Sequence, residues 1–361
     1  MPLQTPFHEL TSSAGPRFEP QDGWLIPADF GDRRGEYEQT CRRAAIFDIS
    51  HHGQVELVGR DAGKFLHNLC TNDVLKLAIG DGCEAFLTTS QAKTVAYVLV
   101  YRGQAEQADA IFHLDAGPCM GERVAQHLDR YLISEQVEIA DRTGELGYVH
   151  VAGPKALEVL ENALSANLSA LQDLKQMQVS IGGHTIQVRK HSPLGLPGFD
   201  IRMLREQANS LWASFLAAGA APAGTEAYQT LRVEAGMPQF GIDIDESNLP
   251  QEVNRVEQTI SFTKGCYIGQ ETIARVRTYG HVNRTLVRLK LEGQETEPRG
   301  TKLFRDGKEA GQITSCVFSP RRGTAIALAY VRRGNQEPGT ELYVGEPGKR
   351  AAEVFVGEEH S

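Results

Sequence analysis

GQVELVGRDAGKFLHNLC, residues 53–70, holds two periods back to back. In GQVELVG the apolar Val55 and Leu57 alternate with Gln54 and Glu56, the period of a half-buried strand. In DAGKFLHNLC the apolar residues Ala62, Phe65, Leu66 and Leu69 recur at three and four, which predicts an amphipathic helix, with Asp61 as a residue of capping type in front of it. A strand that runs directly into a helix predicts a mixed fold, and the neighbouring sequence repeats that texture. Upstream, GEYEQTCRRAAIFDIS (35–50) has helical spacing throughout. Downstream, CEAFLTT (83–89) and TVAYVLVYR (94–102), separated by SQAK, read as a hairpin, MGERVAQHLDRYL (120–132) as a helix and QVEIADR (136–142) as a strand. LGYVHVAGPKALEVLENAL (146–164) passes from strand through a Gly-Pro turn into helix. QVSIGGHTIQVRK (178–190) is a hairpin with Gly-Gly at its tip, and FDIRMLREQANSLWASFLAAG (199–219) is again strand into helix.

The texture changes near His281 to Arg284. TLVRLKLEG (285–293), KLFRDGKEAGQITSCVF (302–318), GTAIALAYVRR (323–333), GTELYVG (339–345) and AAEVFVG (351–357) alternate and are broken by glycine turns, which predicts a small all-β barrel or sandwich. The fold class expected is α+β: residues 1–282 form a core of mixed sheets and helices, taken as two intertwined subdomains, and residues 283–361 a C-terminal all-β domain, barrel or sandwich. No internal repeat or low-complexity segment stands out.

With 361 residues, 41% hydrophobic and 23% charged, the chain has material for more than one core. A net charge of −9 offers no general field for a polyanion, so direct nucleic-acid partners are not expected. The opening MPLQTPFHEL has neither a basic region nor an apolar one, and no apolar run reaches membrane-spanning length, so the expectation is a cytoplasmic protein with no membrane contact. The cysteines Cys41, Cys70, Cys83, Cys119, Cys266 and Cys316 lie far apart, with no zinc spacing and no cluster-ligand pattern, so no permanent metal is expected.

One cysteine has a special setting. KGCYIGQE (264–271) places Cys266 between glycines, after Lys264 and just ahead of GQETIARV, whose spacing predicts a helix. A helix N-terminus and a nearby lysine both favour a thiolate, with Arg275 or Arg277 as further sources of positive charge. Cys266 fits a small buried hydrophobe equally well. Gln270 and Glu271 read by themselves as helix caps.

TPFHEL (5–10), GWLIPADFG (23–31), FDISHHGQVELVGRDAGKFL (47–66) and LRVEAGMPQFG (231–241) together resemble the glycine-cleavage T-protein superfamily over nearly the whole chain. That resemblance implies a tetrahydrofolate-binding cavity and a C-terminal β-barrel. KGCYIGQE, with GIDIDESNLPQEVN (241–254), is similar to the YgfZ-like branch of that superfamily, which includes a mitochondrial iron–sulfur assembly factor. The implied site has Cys266 and Lys264 as catalytic residues. The implied folate contacts are Glu234, Arg232, His52 and the motif residues Gly265, Tyr267, Gly269, Gln270, Glu271 and Arg275. A carboxylate at Glu234 suits the edge of a pterin, and a guanidinium at Arg232 the glutamate tail. Arg232 taken alone reads as a surface ion pair, and the two residues share a side only if their segment is extended. Asp243, Asp245 and Glu246 offer oxygens for a divalent cation, although a solvated turn accounts for them better. His51 and His52, adjacent on a strand, point to opposite faces and chelate poorly, so one of them lines the cavity at most.

Two departures qualify the T-protein likeness. T-proteins carry an aspartate in the strand represented here by KTVAYVLVY (93–101), where this sequence has Ala96 and Tyr97 and no carboxylate. In SPLGLPGFD (192–200), Pro193 and Leu196 stand where polar ligand contacts are expected, and only Gly198, Phe199 and Asp200 keep the pattern. The expectation drawn from motif and departures together is a tetrahydrofolate-binding accessory factor, more binder than enzyme, for assembly or repair of [4Fe–4S] proteins, with iron–sulfur client proteins as partners. The alternative is a folate-dependent aminomethyltransferase or related one-carbon transferase. A catalytically silent folate sensor is the third reading.

Overall fold

Gly182 and Gly183 adopt φ of +57° and +83°, the left-handed pair that lets a two-residue turn match the twist of its flanking strands. The hairpin they close joins Gln176–Ile181 to His184–Lys190, with Ile181 opposite His184. In the computed structural model, which describes residues 2–104, 110–345 and 350–356, this hairpin is the edge of a six-stranded sheet. Its order continues through Gly198–Leu204, Leu146–Ala152, Ala45–Asp48 and the short Ala221–Pro222. The helices Ala156–Leu164 and Ala208–Ala217 cover it with Val159, Leu160, Leu164, Leu211, Trp212 and Phe215.

GEYEQTCRRAAIFDIS is not one helix. The helix Arg33–Arg42 stops where Arg43 takes φ −136° and ψ −107°, and Ala45–Asp48 is a strand. All of Ala45, Ile46, Phe47 and Asp48 are buried, and they pair antiparallel with Leu146–Ala152 and parallel with Ala221–Pro222. A segment buried on both faces loses the alternation that marks a strand, so the helical spacing upstream ran on into it.

The GQVELVG strand, His52–Gly59, belongs to a second, five-stranded sheet ordered Gly82–Thr88, Thr94–Gly103, Ala110–Pro118, His52–Gly59, Glu138–Asp141. The helices Ala62–Leu69 and Gly121–Asp129 pack Phe65, Leu66, Leu69, Val124 and Leu128 onto it. Asp61 does precede the first of these, but its carboxylate makes no cap bond and instead accepts the amide of Gln136 at 2.9 Å. A small three-stranded sheet of Leu3–Gln4, Trp24–Asp29 and Arg17–Gln21 completes this half of the molecule.

From Arg284 the strands close into a six-stranded barrel, ordered Arg284–Leu291, Thr324–Arg332, Lys308–Ser319, Lys302–Arg305, Glu341–Val344, Ala351–Phe355. Val287, Leu289, Leu291, Ala325, Ala327, Ala329 and Val331 fill its interior at alternate positions. The helix Thr225–Ala235 packs between the barrel, the helix Arg33–Arg42 and the strand Trp24–Asp29. Gly236, at φ +76°, ends it with the amide of Met237 returning to Arg232 O at 2.8 Å. Among the described residues no helix is long and apolar enough to cross a membrane.

Candidate functional site

A cleft lies between the two larger sheets, and the Thr225–Ala235 helix and the turn Met237–Phe240 bound it. Tyr97, Leu99, Tyr228, Met237 and Phe240 give it aromatic and apolar walls, and Asp115, His191 and Asp200 are among its polar groups. Aromatic and apolar walls with a few convergent polar groups suit a small organic ligand.

Asp115 reaches the cleft from the Ala110–Pro118 strand and is buried. Its oxygens accept from Arg189 and from Tyr148 Oη, the latter at 2.7 Å. The Arg189 guanidinium stacks 4.5 Å over the ring of Tyr101, and its remaining donors go to Gln176 and Gln187.

Asp200, on the Gly198–Leu204 strand, accepts from His150 Nδ1 at 2.7 Å and from His191 Nδ1 at 3.1 Å. Burial alone would raise its pKa, but the hydrogen bonds and electrostatic attraction of the two imidazoles together outweigh burial and hold the carboxyl well below the usual range. An ionised carboxylate only accepts, so both imidazoles carry hydrogen on Nδ1. His150 is fully buried, and its Nε2 has no hydrogen-bond partner.

His52 lines the cleft, and burial pushes its pKa down to about 4, so it is neutral near pH 7. His51 precedes the strand rather than lying on it, and both rings face one smaller chamber with Asp48 and Tyr228, 4.8 Å apart and nearly perpendicular. The opposite-faces expectation therefore does not hold for this pair. Among the described residues no cluster of three or more His, Cys, Asp or Glu could hold a metal ion.

Tyr97, at the position of the expected aspartate, faces the cleft with its ring. Its hydroxyl donates to Glu84 at 2.7 Å, and Arg255 grips the same carboxylate at 2.5 and 2.7 Å. Of the two departures in SPLGLPGFD, Pro193 faces the cleft and Leu196 a different pocket.

The helical Thr225–Ala235 segment separates Arg232 from Glu234. Arg232 touches the cleft, but its guanidinium is committed to Asp243 at 2.7 Å, to Met237 O at 3.1 Å and to Ser315 at 3.0 Å. It is a buried tie between helix and barrel, not the surface ion pair that its sequence suggests. Asp243 gives its second oxygen to Thr314 and Ser315. Asp245 caps Ser247 and Glu246 pairs with Arg123, so the acidic step is a turn. Glu234 lies away from the cleft, in a pocket with Cys41, Arg288 and Arg322, and accepts from Tyr37 and Ser319.

KGCYIGQE is outside the cleft. The Lys264 ammonium is buried and donates to the carbonyls of His67, Cys70 and Asn72 at 2.5, 2.7 and 2.8 Å. Burial lowers its pKa. It terminates the Ala62–Leu69 helix and lies 4.8 Å over the buried ring of Tyr267. Ile268 bonds Asn68 and Thr88, and Gly269, at φ +86°, packs so tightly that a Cβ would fall 2.8 Å from Thr88 Oγ1. Gly265 has only His67 within reach of a Cβ, and Gln270 begins the Gln270–Tyr279 helix. Glu271 and Arg275 form an exposed i,i+4 pair. Cys266 itself is exposed on the outer face.

The motif and the cleft are therefore separate places, and sequence reasoning missed most of the cleft. Tyr148 and His150 were the available signal: two polar residues on one face of the otherwise apolar strand LGYVHVA.

The GCVT N-terminal domain matches residues 7–264, and the glycine cleavage T-protein C-terminal barrel domain matches residues 284–358. The chain belongs to the glycine cleavage T-protein family. An aminomethyltransferase of Rubrobacter xylanophilus is 32% identical over 95% of this chain and 90% of its own length. Another, from Rippkaea orientalis, is 28% identical over 98% and 96%. The crystal structure of the glycine cleavage system aminomethyltransferase T from Bartonella henselae superposes with a TM-score of 0.90 over 99% of both chains at 23% identity, a likeness of fold.

The expectation of an iron–sulfur accessory factor is corrected by these relatives, which are aminomethyltransferases along nearly their full length. The lean toward a non-enzyme falls with it. The family's cofactor is tetrahydrofolate, and the cleft fits such a group: aromatic walls for a flat ring, and buried carboxylates that can accept from ring N–H donors.

Proposed function

We propose that this T-protein family member is a folate-dependent one-carbon transferase of the aminomethyltransferase kind. The observation that carries the reading is the placement of Asp115 and Asp200, both buried, on one aromatic-walled cleft, in a chain whose full-length relatives are aminomethyltransferases. Tetrahydrofolate, when bound, supplies the nitrogen that accepts the one-carbon unit.

The chain's own residues hold and orient. When tetrahydrofolate is bound, Tyr228 and Phe240 would face its flat ring, while Asp115 and Asp200 would accept hydrogen bonds from its donors. His52, neutral at pH 7, adds polarity without charge. The Thr225–Ala235 helix, tied to the barrel through Arg232 and Asp243, keeps that wall in place. Arg232 contributes through that tie, because its guanidinium is already paired. Within the superfamily, we read KGCYIGQE as a structural clasp, and the likeness to the YgfZ-like branch rests on that motif and on GIDIDESNLPQEVN.

The test has two parts. Calorimetric titration with tetrahydrofolate should give saturable binding in the range of about 1 µM to 1 mM usual for enzyme substrates. With an aminomethyl donor, methylenetetrahydrofolate should then form catalytically. Failure to bind would overturn the reading, and binding without transfer would favour the silent sensor.

A further inference from the structure

The strand that carries an aspartate in T-proteins offers Tyr97 here, and its hydroxyl is occupied by Glu84. Transfer of a one-carbon unit to an amine still requires a group that moves a proton. The cleft wall holds one imidazole with the right support. His191 lies in that wall with 13% of its side chain exposed, against 4% for Asp200. Its Nδ1 donates to Asp200 Oδ2 at 3.1 Å, which leaves the lone pair on Nε2.

The supporting shell is rigid. The other oxygen of Asp200 is fixed by His150, which is wholly buried. The His191 amide donates to Gly198 O at 3.1 Å, and a Cβ on Gly198 would fall 2.6 Å from His191 O. Only glycine allows the loop that carries His191 to lie this close to the strand that carries Asp200. Nucleophile activation and proton shuttling elsewhere use this arrangement, a base whose tautomer and orientation are set by a buried carboxylate.

We propose that His191 is the proton-transfer residue of this site and Asp200 its positioning partner, an assignment that rests on the transferase reading given above. His191 Nε2 takes the proton that the acceptor amine sheds as its bond to the one-carbon unit forms. It returns that proton to the heteroatom whose bond to the same carbon breaks, and the bonding pair stays on that heteroatom. One bond to carbon replaces another, the proton count is unchanged, and no oxidant or reductant enters.

Nitrogen-15 histidine NMR on the ligand-free protein reads the arrangement independently of turnover. His191 should show the Nδ1–H tautomer, and Asp200→Asn should move its population toward Nε2–H. An Nε2–H tautomer in the unaltered protein would overturn the assignment, and needs no variant to fold. In transfer assays, His191→Gln should lower kcat by about 10²- to 10⁴-fold with KM for tetrahydrofolate changed less than threefold. Added imidazole should restore part of the activity of His191→Ala, which a structural role would not allow. Unchanged kcat in His191→Gln, or no rescue of His191→Ala, overturns the dyad while the transferase reading stands. No transfer by the unaltered protein overturns both.

Discussion

Arg189, with none of its side chain exposed, lies against both carboxylate oxygens of Asp115 at the edge of the cleft. A buried ion pair of this kind contributes little net stability, but removing one partner leaves the other charged, buried and alone. Arg189→Met and Asp115→Leu should therefore each cost about 3–5 kcal/mol. The double substitution should recover most of that loss, because it removes both desolvated charges. Urea denaturation of the four proteins checks this as a double-mutant cycle. Additive losses would mean that the two side chains do not act as a pair. The doubly substituted protein should fold and still bind tetrahydrofolate poorly.

The KGCYIGQE segment leads to a contrast within one motif. Lys264→Met leaves the carbonyls of His67, Cys70 and Asn72 without their shared donor, at a cost of about 2–4 kcal/mol. Gly269→Ala forces a Cβ against Thr88 Oγ1 and Thr89 O at a φ of +86°, a loss of about 1–3 kcal/mol. Cys266→Ala removes an exposed thiol and should change stability by less than about 0.5 kcal/mol. Thermal melts of the three variants give the ranking. A larger loss from Cys266→Ala than from Lys264→Met would refute the clasp.

Lys264 and Cys266, two positions apart, show what the sequence carries and what it hides. Periodicity located the strand His52–Gly59, the helix Ala62–Leu69 and the all-β C-terminal region, because in each the apolar residues recur at the spacing that gathers them on one face. It ran past Arg43 because Ala45–Asp48 is buried on both faces. Closure of the last region into a barrel rather than a sandwich depends on the pairing of Arg284–Leu291 with Ala351–Phe355, a long-range contact that no local pattern encodes. The cleft was hidden for a related reason. Asp115, Tyr148, Arg189 and Asp200 come from four strands in two sheets, so their convergence is a property of the packing. Cys266 drew attention through its glycines and lysine. In the structure these serve backbone geometry and a helix terminus, leaving the thiol at the surface.

The buried histidines predict how stability depends on pH. His52 has a folded-state pKa of about 4 against 6.5 for an unburied imidazole, chiefly because burial penalises its charged form. Between those values the unfolded chain binds a proton that the folded chain does not, so stability rises with pH across that window and falls as pH drops from about 6.5 toward 4. His52→Asn should flatten that slope, by about 1–3 kcal/mol over the window, since part of the ring is exposed. Asp200 acts lower down: its carboxyl is held below the usual range, so its contribution is complete above about pH 4 and is lost only as pH falls further. Denaturation midpoints at half-unit steps from pH 3 to pH 8 separate the two. A slope above pH 4 that His52→Asn leaves untouched would assign it to other groups.

Gly117 gives a direct test of where the ligand binds. It lies in the cleft wall on the Ala110–Pro118 strand, and the nearest atoms to a Cβ built there are Phe240 Cβ at 3.8 Å and Met120 Cγ at 4.0 Å. A methyl group fits at ordinary contact distance, whereas a longer side chain has to project into the cleft. Gly117→Ala should bind tetrahydrofolate within about twofold of the unaltered protein. Gly117→Leu should bind at least about tenfold more weakly, roughly 1.4 kcal/mol, with a melting temperature within about 2 °C because the leucine fills space that is otherwise open. Loss of binding together with a large drop in melting temperature would point to misfolding, and the graded alanine variant then decides between the two explanations. Equal affinity in all three proteins would place the folate outside this cleft and remove Asp115 and Asp200 from its contacts.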